Sequence, residues 1–323
     1  MKKLVFRLSV LFIGLCALAL ISPFGLNAAS LKVAIIAPSA SNDLAFTQSI
    51  VDGIGAIQKT QSIELAITDG TFIVEDAAAA IRDYAKQGYD LVIAHGSQYG
   101  GSLKEIAPDF PNTAFAWGTS ANTFGLANVS SYEAASDEGG YVMGAMAAVM
   151  SKRGVVGVIG PIEVGDAKLY VDGFVAGAKA TKPGIRANVN YIGSFSDVAL
   201  AAEAARAHLA AGADVLTGTA QMVVGAIGAA RAKRAGWFGT QANQTELAPE
   251  IVVASQVYKW EVILKQIFSD MKKGIKGGKM YEINLANGGL VIEFNDAYNI
   301  PSKAKQAGID AIAGIKNGSI KIH

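Results

Sequence analysis

Three short polar groups in the amino-terminal half of the chain each follow on an apolar run. Residues 31–37 lead into Ser39-Ala-Ser-Asn42-Asp43-Leu-Ala-Phe46. Residues 91–95 lead into Gly96, Ser97, Gln98 and Tyr99, and residues 113–117 into Gly118, Thr119, Ser120 and Asn122. A carboxylate, amides, hydroxyls and an aromatic ring in this arrangement suit the hydrogen-bonded capture of a small molecule. Asp43 has a second reading as the N-cap of the helix that carries Phe46, and the two roles are compatible.

Residues for catalysis or metal binding are few. His95, His208 and His323 are far apart and none sits in H-x-x-x-H spacing, while the sole cysteine is Cys16. His208 lies beside Arg206 and is expected at the surface of a helix; His323 is the last residue. The sequence has neither a G-x-S-x-G elbow nor a G-x-x-x-x-G-K-[ST] loop. Gly225 and Gly228 fall among alanines, where helix packing accounts for them better than phosphate binding. A nucleoside hydrolase would need a calcium-binding carboxylate cluster, and no D-x-D run is present. Neither an enzyme, a metal nor a cofactor is expected.

The polar groups are placed by alternating strands and helices. Strands are expected over 31–37, 63–68, 91–95 and 113–117, with helices over 46–58, 74–87 and 101–107 between them. Strands that are apolar almost throughout, in βαβα order, imply a parallel sheet covered on both faces, which binds ligands at the strands' carboxyl ends. The pattern then restarts. Helices are expected over 138–150, 167–180, 198–211 and 223–233, and strands over 155–159, 188–191, 215–217 and 251–254. Two α/β lobes in series follow. A helix over 260–273 and a strand over 290–294 complete the chain, and its crossings between lobes are expected near 118–123, 256–259 and 282–288.

Lys2, Lys3 and Arg7, an apolar run over 8–21, Pro23 and then Asn27, Ala28 and Ala29 read as a cleaved secretory signal. The run falls short of the roughly 20 residues of a membrane span, so no stable membrane insertion is expected. Leu15 stands where a lipobox needs a small residue, so Cys16 is discarded with the signal. The remaining chain has no cysteine and must rely on its core rather than on disulfides. It carries 25 basic against 27 acidic residues, a balance that offers no field for nucleic acid or an anionic membrane.

Several ordered marks carry a family resemblance. They are Asn42-Asp43-x-x-Phe46, Gly88-Tyr-Asp90-Leu-Val-Ile-Ala-His95-Gly96, Glu138-Gly-Gly-Tyr141-Val-Met-Gly144 and Gly154-Val-Val-Gly157-Val-Ile-Gly160. Gly173-Phe174-x-Ala176-Gly177-Ala-Lys179, Tyr191-x-Gly193-Ser194-Phe195-x-Asp197 and Gly212-Ala-Asp214-Val215 follow. Together the chain resembles the basic membrane protein family of ABC-transporter substrate-binding proteins, of the purine nucleoside receptor type, from about Leu31 to Phe294. The resemblance implies an α/β periplasmic-binding-protein type I fold: two doubly wound parallel-sheet lobes joined by a three-segment hinge. On that reading residues 1–29 are the signal, 30–120 and 257–285 the first lobe, and 121–256 and 286–323 the second. It further implies a periplasmic protein that hands a small molecule to an ABC permease.

Carried over residue by residue, Asp43 matches a ligand-contacting acid and Phe46 an aromatic over one face of a base. Tyr170 falls where the family places a second stacking aromatic. Core packing is the competing reading for both rings. The expected ligand-binding set is Asn42, Asp43, Phe46, Ser97, Gln98, Trp117, Tyr170, Gln221, Gln241 and Tyr258. The departures are informative. Nucleoside-binding members carry G-V-D-x-D-Q where this chain has Gly239-Thr-Gln241-Ala-Asn243-Gln244, and a lysine where it has Tyr258 beside Lys259. An amide grips a vicinal diol less well than a carboxylate, so a free purine-like base is expected ahead of a nucleoside. A periplasmic sensor, or a sugar binder using Trp117, Trp237 and Trp260, remains an alternative.

Overall fold

The computed structural model describes residues 30–322; the expected signal at 1–29 and His323 lie outside the described residues. In chain order the first elements are β1 (Leu31–Ile36), α1 (Phe46–Gln58), β2 (Ile63–Thr68), α2 (Val74–Lys86), β3 (Leu91–His95), α3 (Gly100–Ile106), β4 (Ala114–Gly118) and β5 (Val129–Ala134). Next come α4 (Ser136–Met150), β6 (Val155–Gly160), α5 (Gly165–Thr181), β7 (Arg186–Tyr191), α6 (Val198–Ala210) and β8 (Val215–Gly218). The chain continues with α7 (Val223–Ala232), β9 (Gly236–Gln241), β10 (Val252–Tyr258), α8 (Glu261–Lys272), β11 (Met280–Ile283), β12 (Leu290–Phe294) and α9 (Ser302–Lys316).

The strands form two six-stranded sheets, β2-β1-β3-β4-β5-β11 and β7-β6-β8-β9-β10-β12. All pairings are parallel except β10 with β12. The fold is therefore α/β, with each lobe wound outward from a central strand. β3, β4 and β6 are buried along their whole length, as strands covered by helices on both faces must be. β2 and β7 at the edges have no fully buried position.

The chain passes between the sheets three times. The first passage follows β5, which pairs with β4, so it falls near residue 135 and not at the expected 118–123. Ser130, Ser131 and Glu133 interrupt the apolar character of Val129–Ala134, so no strand is expected there, although five of its six positions are buried. The second passage lies between β10 and α8, which packs on α1, and the third lies between β11 and β12. Strands β9 and β11 and helix α9 likewise had no counterpart in the sequence reading.

Helices α4 and α5 of the second lobe meet backbone to backbone. A Cβ at Gly144 would stand 2.0 Å from the Phe174 carbonyl oxygen, and one at Gly177 2.0 Å from that of Tyr141. The start of α5 lies at the cleft between the lobes, where Asp166 and Ala167 line the cavity. His208, expected at the surface, is 3% exposed and bonds through Nε2 to the Val158 carbonyl 3.2 Å away.

Candidate functional site

The cleft between the sheets holds a small cavity of about 30 Å³. It is lined from the carboxyl ends of strands in both lobes. Pro38, Phe46, Phe72, Gly96, Ser97, Gln98 and Thr119 come from the first lobe. Val164, Asp166, Ala167, Phe195, Ala220, Gln221 and Gln241 come from the second. Three phenyl rings thus meet a small polar set around one buried carboxylate.

The Phe46 wall is held by His95 at the end of β3. The two rings stack with centroids 3.9 Å apart and 16° between planes. His95 Nε2 is 3.2 Å from the Phe46 carbonyl and Nδ1 2.7 Å from the Tyr132 hydroxyl. A carbonyl only accepts, so Nε2 carries the proton and Nδ1 accepts from Tyr132. Burial pushes the His95 pKa down to about 3, against a weaker upward pull from its bond to Phe46. The imidazole is therefore neutral at physiological pH.

Asp166 sits in the first turn of α5, where the helix dipole favours a carboxylate. Thr119 donates to Oδ1 at 3.2 Å from the opposite lobe, and Tyr258 to Oδ2 at 3.1 Å. Burial raises its pKa; hydrogen bonds from Tyr258, Thr119, Gln241 and the Ala167 amide oppose the rise. A second bond across the cleft runs from Gln221 Nε2 to Ser39 Oγ, 2.8 Å. Ala220 and Gln241 hold left-handed backbone, with φ of 72° and 70°, a costly conformation for residues other than glycine. At the cleft it turns the ends of two strands toward the cavity.

Five of the expected residues line the cavity: Phe46, Ser97, Gln98, Gln221 and Gln241. The other five sit elsewhere. Asp43 accepts from the backbone amides of Ala45, Thr47 and Gln48 and from Ser39 Oγ, which fills its carboxylate and makes it the organiser of the loop into α1. Asn42 is exposed beside it. Trp117 stacks on Phe124 and donates to the Gly96 carbonyl inside the first lobe. Tyr170 is fully buried in the second lobe, its hydroxyl 2.6 Å from Thr217 Oγ1, so it does not stack opposite Phe46. Tyr258 stands behind Asp166. Asn243 is turned away to Glu293, which also holds Lys259.

Residues 30–322 match the family model described as Bmp, ABC transporter substrate-binding protein PnrA-like. This chain belongs to that family. Among curated relatives, a purine-binding protein of Brucella abortus is 28% identical over 276 residues, covering 84% of this chain and 75% of that protein. The ABC transporter nucleoside-binding protein BmpA of Lactococcus lactis is 28% identical over 319 residues, 90% of this chain and 89% of its own. The fold is similar to that of an ABC transporter solute-binding protein from Conexibacter woesei, with a TM-score of 0.74 at 24% identity, covering 90% and 98% of the two chains. Members of the Bmp family are substrate-binding proteins of ABC transporters, not enzymes.

As a Bmp-family cleft, this one contains four features the sequence reading passed over: Asp166, Phe72, Phe195 and the His95 support. Phe195 lay within a recognised motif, and Asp166 follows β6 at the same strand end that singled out Asn42 to Phe46 after β1.

Proposed function

We propose that this chain captures a free purine-like base between its lobes in the periplasm and delivers it to an ABC permease, after export directed by residues 1–29. The observation that carries the reading is the cavity wall itself, in which phenyl rings from both lobes surround the buried Asp166 carboxylate. Flat heterocycles gain roughly 1–3 kcal/mol from stacking on an aromatic ring. Gln221, Gln241, Ser97 and Gln98 supply in-plane polar partners. Three passages of chain between the lobes allow them to part for entry and close on the ligand, as expected when contacts are split between two bodies.

The base is preferred over its nucleoside for two reasons. Gln241 brings an amide where nucleoside-binding members bring a carboxylate, and Asn243 is engaged with Glu293 outside the cleft. Neither is a strong diol acceptor. Titration calorimetry with adenine, guanine, hypoxanthine, their nucleosides and D-glucose tests the reading. A base should bind and its nucleoside should bind no tighter. A nucleoside held a hundredfold tighter, about 2.7 kcal/mol, or binding of glucose alone, would overturn it.

A further inference from the structure

Two enclosed oxygens on the cavity wall have nothing to accept. The Oε1 atoms of Gln221 and Gln241 are buried without a hydrogen-bond partner, and both side chains line the cavity. Gln241 is only 2% exposed.

The groups behind each glutamine fix which end of its amide is left without a partner. Ser39 Oγ lies 2.6 Å from Asp43 Oδ2. An ionised carboxylate can only accept, so the single Ser39 proton is committed to Asp43. The Ser39 oxygen is then an acceptor, and the Gln221 atom 2.8 Å from it must be the amide nitrogen. That leaves the Gln221 carbonyl as the end of the amide without a donor. Gln241 is oriented the same way. Its Oε1 is the end left without a partner, so the hydrogen bond its side chain makes to Asp166 comes from the amide nitrogen. The two orphaned acceptors are therefore a consequence of the carboxylates behind them.

We infer that Gln221 and Gln241 select a heterocycle bearing at least two N–H donors on separate edges, one for each carbonyl. The inference rests on the proposed capture of a purine-like base and adds the residues that choose among such bases. A buried acceptor left without a donor costs about tenfold to a hundredfold in affinity. A ring lacking one donor therefore binds correspondingly more weakly than its equal in shape.

The test compares adenine with unsubstituted purine, which has the same bicyclic ring and lacks the exocyclic amine. Calorimetry is performed on the full chain and on Gln221→Met and Gln241→Met, with far-UV circular dichroism and thermal melts to establish folding. Adenine should bind at least about tenfold tighter than purine to the unsubstituted chain. In one of the two variants that ratio should fall to within about threefold. Equal binding of adenine and purine would overturn the inference and leave the proposed function standing, as would a ratio unchanged in both folded variants. Failure of every bicyclic base to bind would overturn both.

Discussion

Acidification should loosen the Phe46 wall through His95. The imidazole is fully buried and neutral, with a pKa of about 3, whereas in the unfolded chain it takes up a proton near 6.5. Below that value the unfolded state binds the extra proton, so folding stability falls as pH falls and continues to fall until about 3. Each pH unit is worth about 1.4 kcal/mol, so the move from pH 6.5 to 5 costs about 2 kcal/mol. That is a large share of the roughly 5–15 kcal/mol that holds a typical domain. Protonation would also turn Nδ1 into a donor to the Tyr132 oxygen, leaving the Tyr132 hydroxyl proton to find another acceptor in the core. Urea denaturation at pH 7 and 5 of the natural chain and of His95→Gln isolates the contribution. Glutamine can donate to the Phe46 carbonyl and accept from Tyr132, but it does not titrate. The natural chain should lose about 2 kcal/mol more than the variant between the two pH values. Equal losses would refute the assignment of a neutral, buried His95 as the support of the site.

Four further substitutions test the site and its scaffold. Phe195→Ala should weaken ligand binding by about 1–3 kcal/mol, whereas Tyr170→Phe should leave affinity unchanged in calorimetry and cost only about 1 kcal/mol of stability from its Thr217 bond. Asp43→Asn should lower stability by about 1–2 kcal/mol through the loop into α1 and reduce affinity only severalfold; a loss of a hundredfold would mean that Asp43 contacts the ligand itself. Glu133 has its pKa raised to about 7 by burial and by Asp166, Glu282 and Asp137, so stability present below about 4.5 is lost as pH rises through 7. Allowing for its partial exposure, Glu133→Gln should be about 1–2 kcal/mol more stable than the natural chain at pH 8, the difference vanishing in denaturation curves near pH 4.

The winding of both sheets could be read from strands that are apolar throughout, since β1, β3, β4 and β6 are buried on both faces. Strands with polar interruptions escaped that reading. β5 buries Ser130 and Ser131, and β9 places Gly239 against the Gln244 side chain. In the site, the rule that ligand groups follow the carboxyl ends of strands located Phe46, Ser97 and Gln98. Applied to the second lobe, it would also have located Asp166 and Phe195. Tyr170 escaped correct placement for a different reason. Whether a tyrosine on a helix faces the cleft or the core depends on how α5 is rotated against α4, and that is set by the glycine contacts at Gly144 and Gly177. Asp43 illustrates a third limit, because its four donors come from the fold of its own loop and leave no acceptor free for a ligand.

The most direct test of the central claim is the identity of what the purified protein carries. Denaturing it after mild purification and analysing the released small molecules by mass spectrometry should yield a free purine-type base with at least two N–H donors and no attached ribose. Release of a nucleoside or a hexose in place of the base would contradict the account.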